Sequence, residues 1–168
     1  LRLTVSRSEN KTAPAAGNLR VRIHQPDAST LEFRYRSDRG VFAAEQAELG
    51  EIQSFDAGPS RRWIWRQPGG RQAHFDAGGR LVAWRTALGQ KLDLRYSPQG
   101  RLQEIRRSLQ NQEGINRLMS SLELRWDAEQ RLISKVLLKQ FQAPNLKQVD
   151  STDAVVAQCD YRYAGATT

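Results

Sequence analysis

One short phrase is written several times along this chain. Phe75-Asp76-Ala77-Gly78-Gly79-Arg80-Leu81 returns as Tyr96-Ser97-Pro98-Gln99-Gly100-Arg101-Leu102, and again as Trp126-Asp127-Ala128-Glu129-Gln130-Arg131-Leu132. Each copy reads aromatic, polar turn-former, turn residues, Arg, Leu. The copies start 21 and then 30 residues apart, and a fixed phrase at such intervals means one supersecondary unit used repeatedly. A chain built this way is organised to make a surface more than to surround one catalytic pocket.

The residues before each aromatic recur as well. Leu31-Glu32-Phe33-Arg34-Tyr35, Leu92-Asp93-Leu94-Arg95-Tyr96 and Leu122-Glu123-Leu124-Arg125-Trp126 are nearly one sentence, and Cys159-Asp160-Tyr161-Arg162-Tyr163 is a fourth version. Apolar residues at every second position are the mark of a half-buried strand. The acid and the Arg two residues on share the solvated face and are expected to pair there. Asp76, Ser97 and Asp127 are expected to accept backbone hydrogen bonds from two residues further on. Gly79 and Gly100 supply a positive φ without a Cβ clash. Gln130 fills that slot in the third copy, which predicts a differently shaped turn. A second strand then leaves each turn, so every unit is a β-hairpin. Ser54-Phe55-Asp56-Ala57-Gly58-Pro59, followed by Arg61 to Arg66, is a degenerate copy, and residues 35–41 are a looser one.

Aromatic-Asp-x-x-Gly-Arg-Leu with a period near twenty resembles the YD repeat of bacterial Rhs and insecticidal-toxin-complex proteins. The resemblance covers about residues 30–136, with a partial copy near the C-terminus. It implies antiparallel hairpins winding into a long sheet, which in that family often forms a hollow shell around a toxin domain. A shell takes many hundreds of residues and this chain has 168; the family's self-cleaving acidic residues are not visible either. Encapsulation therefore does not carry over. The hairpin architecture does, together with an association with secreted or cell-envelope bacterial proteins.

The fold class expected is all-β, with ten to thirteen strands in a twisted meander or a partly closed, barrel-like sheet. A chain of this length reads as one domain over 1–168. Residues 1–29 form an N-terminal capping hairpin that lacks the phrase, 30–136 the repeats, and 137–168 a long loop with a partial repeat. Residues 8–18 and 142–153 read as long loops, and 110–116 as a longer connection. Residues 43–50 fit either a short helix ending at Gly50 or a wide loop, and Pro68-Gly69-Gly70 is a tight turn. No apolar run approaches the roughly 18 residues needed to span a bilayer. The start at Leu1 reads as a processed or trimmed protein, in keeping with a periplasmic or extracellular location.

The formal charge is +8 and the pI about 10.2, from 26 Lys and Arg of which 5 are Lys. Arginine binds carboxylate, sulfate and phosphate through a planar fork. The excess fits either a solvated strand face or a polyanion-binding surface. Trp63 and Trp65, with Arg61, Arg62 and Arg66 around them, are the candidate binding residues. If solvated, the indoles are a stacking platform for sugars or bases; if inward, they are core. His24 and His74 are isolated strand-face residues, and the single cysteine, Cys159, takes a Leu slot and reads as a buried structural thiol. No metal motif, phosphate loop or nucleophile elbow occurs, and no cofactor is expected. Asp56, Asp76 and Asp127 recur at one turn position, so turn capping explains them better than catalysis. The function expected is a non-enzymatic secreted or envelope β-repeat module, a scaffold or binding surface for glycan or a partner domain. Two alternatives stand beside it: an Arg-rich binder of nucleic acid or acidic glycan, and an accessory or shell domain of a larger toxin or enzyme that pairs through an open edge strand.

Overall fold

The computed structural model describes residues 1–7, 19–55, 61–110, 116–129, 131–141 and 154–162. They form thirteen strands and two 3-10 turns, with no α-helix among the described residues. The all-β reading holds. The chain divides into two compact units, Leu1–Leu88 and Gly89–Thr168, a division that no composition shift or linker marks in the sequence.

The first unit holds β1 (Arg2–Arg7), β2 (Leu19–His24), β3 (Thr30–Arg36), β4 (Val41–Ala43), β5 (Glu51–Phe55), β6 (Arg62–Arg66), β7 (Gln72–Phe75) and β8 (Leu81–Arg85). Each pairs antiparallel with the next. The second unit holds β9 (Gln90–Tyr96), β10 (Leu102–Gln110), β11 (Asn116–Trp126), β12 (Ile133–Gln140) and β13 (Ala154–Asp160), again antiparallel in chain order. The expected loops at 8–18 and 142–153, most of the connection at 110–116 and the turn of the degenerate copy at 56–60 lie outside the described residues. The strands flanking that last turn do pair, Phe55 opposite Arg62. Residues 43–50 combine both expectations: a connection with one 3-10 turn at Ala47–Leu49, closed by the Gly50 N–H on the Ala47 carbonyl at 3.1 Å. Pro68–Gly70 is the expected tight turn, with Gln67 N–H donating to the Arg71 carbonyl at 2.9 Å.

The repeated phrase folds the same way in its first two copies. Gly79 N–H donates to the Asp76 carbonyl at 3.0 Å and Gly100 N–H to that of Ser97 at 2.8 Å, with φ at these glycines of 75° and 84°. This is the turn with a left-handed last residue that suits a tight hairpin. The side-chain contact differs from expectation. The acceptor at the phrase's second position takes the N–H of the Arg four residues on, not two: Arg80 to Asp76 Oδ1 at 2.9 Å, Arg101 to Ser97 Oγ at 3.2 Å, and Arg131 to Asp127 Oδ1 at 2.7 Å. The same cap forms in the third copy, which has Gln130 in the glycine slot, so it does not depend on the glycine.

Where glycine is replaced, the hairpin shifts by one residue. Asp76 and Ser97 donate their N–H groups to the carbonyls of Arg80 and Arg101, whereas Asp127 donates to Leu132. Phe75 and Tyr96 sit opposite the phrase Leu, Leu81 and Leu102; Trp126 sits opposite Ile133 instead. Leu132 is consequently exposed. Each hairpin also has a register break beside its aromatic, and such bulges sharpen strand twist.

The first unit buries one face of its meander. Leu3, Val21, Ile23, Phe33, Phe42, Ile52, Trp63, Trp65, Ala73 and Phe75 form a single apolar cluster. They are the alternate residues of their strands, aligned in cross-strand rows such as Tyr35–Phe42–Ile52–Trp65–Ala73. One sheet can bury its own face only by curling. Edge-on ring contacts between strands that are not neighbours record the curl: Phe33 to Trp65 at 6.0 Å and Phe42 to Trp63 at 5.8 Å. The curl brings β1 round to the start of β8. An isolated antiparallel bridge joins Arg2 to Arg80, and Leu3 N–H donates to the Gly79 carbonyl at 2.8 Å. One bridge is not a ladder, so this unit curls without closing as a barrel.

The second unit has a more apolar face, with the row Leu94–Ile105–Leu122–Leu138–Ala157, and a charged one. On the charged face Lys91 pairs with Asp93 at 2.9 Å, Arg106 with Glu104 at 2.8 Å and Lys139 with Glu123 at 2.5 Å. Successive phrases touch: the Arg101 guanidinium lies 5.2 Å from the centre of the Trp126 ring, and Trp126 Nε1 donates to the Leu102 carbonyl at 2.8 Å. Among the described residues β13 pairs only with β12, and Cys159 on it is exposed. This corrects the buried-thiol reading. The slot filled by Cys159 lies on a strand with a described neighbour on one side, and the Leu92 slot is exposed as well.

Candidate binding surface

β6 places four of the five candidate residues, and Arg61 directly precedes it. Trp63 and Trp65 are 3% and 4% exposed and lie in the core, the inward of the two readings. Trp65 Nε1 donates to the Leu49 carbonyl at 2.7 Å, which satisfies the one polar atom that burial of the indole would strand. Neither ring is presented to solvent as a platform. Arg62 and Arg66 alternate with the indoles and emerge on the opposite, outer face beside Ile64. Arg61, just before the strand, stays with the indoles: its guanidinium lies 5.6 Å from the Trp63 ring centre.

Arg66 is held by uncharged groups. Its Nη1 donates to Gln53 Oε1 at 2.5 Å, and its guanidinium lies 5.6 Å from the centre of the Phe55 ring. Glu51, opposite Arg66 on β5, is ion-paired with Arg39. On the other side of Arg66 the register continues to Gln72 on β7 and Arg85 on β8. Gln72 Oε1 accepts from His74 Nε2 at 3.3 Å. Arg85 is exposed and has no ion pair or hydrogen bond through its side chain among the described residues. An open cleft of about 610 Å³ adjoins Arg66, lined among others by Arg36, Arg39, Asp38, Glu45 and Glu51. Its charges balance.

Glutamate and arginine gather differently on β2 and β3. Glu32 accepts from Arg20 Nη1 at 2.7 Å and from Arg22 Nε and Nη2 at 3.1 Å each, and Arg34 Nε lies 3.8 Å away. The acid–Arg pairing expected within a strand forms here, from Glu32 to Arg34, but the shorter contacts cross to β2. Asp93 pairs within its strand, with Lys91 in place of Arg95, while Glu123 and Asp160 pair across to Lys139 and Lys135 on β12. Cross-strand neighbours stand closer than side chains two residues apart. Partial burial pushes the Glu32 carboxyl up, but the hydrogen bond from Arg22 and the charges of Arg20 and Arg22 outweigh it and hold it below its ordinary value. A carboxyl lowered on folding stabilises the fold above its unfolded-state value, and that contribution is lost as pH falls through the folded one. Stability of the first unit is therefore expected to decline below about pH 4, and E32Q is expected to flatten the decline. Melting temperature against pH for both proteins checks this; identical acid limbs would remove Glu32 from the explanation.

The candidate carboxylates are occupied by turns. Asp76 and Asp127 cap the Arg80 and Arg131 N–H groups, and Asp76 Oδ2 also takes Arg80 Nε at 2.8 Å; Asp56 lies outside the described residues. His24 lies within hydrogen-bonding reach of Thr4 and Thr30 at 3.0 and 3.3 Å. Gln72 and Arg85 carry no local signal in the sequence, because only the register of β6, β7 and β8 aligns them with Arg66. Among the described residues no helix is long and apolar enough to cross a membrane.

Comparison with protein families matches residues 75–111 to the RHS Repeat. The segment contains the phrases that begin at Phe75 and Tyr96, so the repeat read from the sequence is the one the family model recognises. A search of curated proteins found no match to this chain.

Proposed function

We propose, on the premise that residues 75–111 are an RHS repeat, that this chain is a non-enzymatic β-repeat module of a secreted or envelope protein. It serves as a scaffold and binding surface for glycan or for a partner domain. One observation carries the reading: the polar residues that recur in the phrase are engaged in building turns. Asp76, Ser97 and Asp127 each accept the N–H of the phrase Arg, and a carboxylate fixed as a turn cap is poorly placed to transfer protons to a substrate. The test is to pass the purified chain over neutral and anionic glycans at physiological salt while assaying the same glycans for cleavage. Saturable binding without release of new reducing ends is expected; time-dependent cleavage would overturn the reading.

A second reading, an accessory domain of a larger toxin or enzyme, is favoured by β13. Among the described residues this strand pairs on one side only, and it exposes Val155 and Val156 at 52% and 48%. A strand edge with apolar side chains and open backbone groups is suited to strand addition.

A further inference from the structure

We infer that the outer face of β6, β7 and β8 is a binding site for an anionic polysaccharide, with Arg66, Gln72 and Arg85 as its contact row. The inference rests on the binding-module reading and adds the site and the chemical class of its ligand. Arg66, Gln72 and Arg85 stand directly across from one another on three adjacent strands. With neighbouring strands about 4.8 Å apart, the two arginines are separated by about 10 Å at the backbone. The row runs across the strands, so an extended polymer lying on it meets one donor per strand.

The row consists of donors without a carboxylate. Arg66 is held by Gln53 and Phe55, contacts that fix its guanidinium without an ion pair to it among the described residues. Gln72 gives its amide oxygen to His74, which leaves the NH₂ end to donate. Arg85 has no side-chain partner among the described residues. The nearest carboxylate in register, Glu51, is engaged by Arg39. By contrast Arg20, Arg22 and Arg34 surround Glu32, and the adjoining cleft mixes acids with arginines. A guanidinium–amide–guanidinium row matches carboxylate or sulfate groups spaced along a sugar chain, since guanidinium forms two-pronged hydrogen bonds to both.

Single-stranded nucleic acid fits less well. Its binding relies on exposed aromatic faces for base stacking, and here Trp63 and Trp65 are inside while the Arg66 guanidinium lies over Phe55.

The test measures binding of the whole chain, at physiological and at low salt, to dextran sulfate, polygalacturonate, neutral dextran, single-stranded DNA and a short DNA duplex. The variants are R66Q, R85Q and the pair together, with R117Q as a control on the second unit. The inference expects dextran sulfate or polygalacturonate to bind at physiological salt. R85Q should weaken binding about tenfold, the scale of one charge-assisted contact. It should also lower the salt slope by about one, as for a phosphate contact. R117Q should change neither. Arg85 makes no side-chain hydrogen bond or ion pair among the described residues, and both R85Q and the R66Q variants are checked for stability by melting. Equal affinity in R85Q and R117Q overturns the site, and tighter binding of either DNA than of both polysaccharides overturns the ligand class. Binding of neutral dextran alone overturns this inference while leaving the binding-module reading intact.

Discussion

G79A is expected to cost about 3 kcal/mol or more and to detach the first strand from the turn it reaches. Gly79 has φ 75°, a region that costs a residue with a Cβ roughly 1 kcal/mol. Steric contact costs more than this: a Cβ on residue 79 would lie 1.8 Å from the Leu3 carbonyl oxygen. No side chain is available to swing aside, so backbone must move. The Leu3–Gly79 hydrogen bond and the Arg2–Arg80 bridge are then lost, and Leu3, 2% exposed, loses its cover. Gly40 provides the control. It has φ 65°, and a Cβ on residue 40 would meet nothing within 4 Å, so G40A should cost only the backbone strain, about 1 kcal/mol. Urea unfolding of both variants, with hydrogen exchange at the Leu3 amide, separates strain from contact. Equal losses would mean that the β1 contact contributes nothing.

W65A is expected to cost about 3–5 kcal/mol. The substitution empties a position in the centre of the first unit's core, removes the edge-on contact with Phe33 and leaves the Leu49 carbonyl without its donor. W65F keeps most of the apolar volume and loses the hydrogen bond, and should cost about 1–3 kcal/mol. The same pair decides between core and ligand platform. A core indole loses stability on substitution; a solvated one loses ligand affinity while the melting curve stays in place. Chemical unfolding of the two variants measures the first, and an unchanged midpoint in W65A would overturn the core assignment.

Much of the fold is legible in the sequence because its signals are local. Alternation in Leu31 to Tyr35 and Leu92 to Tyr96 marks strands, and the phrase after each aromatic marks turns. Gln130 in the glycine slot announces a differently shaped turn, though not that the difference is a one-residue shift exposing Leu132. What escapes the sequence depends on which strands become neighbours. The indoles of Trp63 and Trp65 can face either way until the curl places Phe33 and Phe42 against them. The return of β1 to Gly79 has no local signal, since Leu3 reads like any apolar strand residue. Spacing suggests that Glu32 pairs within its strand, yet its shorter contacts come from across the sheet. Cys159 resembles the Leu slots of the other copies, and these are not all covered, since Leu92 is exposed as well. The row Arg66–Gln72–Arg85 exists only as a register, so sequence reasoning offers Arg61, Arg62 and Arg66 as a cluster and misses Arg85.

The contact between Leu3 and Gly79 also bears on how the first unit folds. Ladder pairing in this unit joins consecutive strands, so each step brings together segments already near in the chain, at small loop-closure cost. The Leu3–Gly79 hydrogen bond joins segments separated by most of the unit and cannot form until the intervening hairpins have shortened that path. The unit thus combines the topology of a fast zipper with one slow, non-local closure. Chain entropy favours making that closure last, and the N-terminal strand is the element whose docking marks completion of the native state.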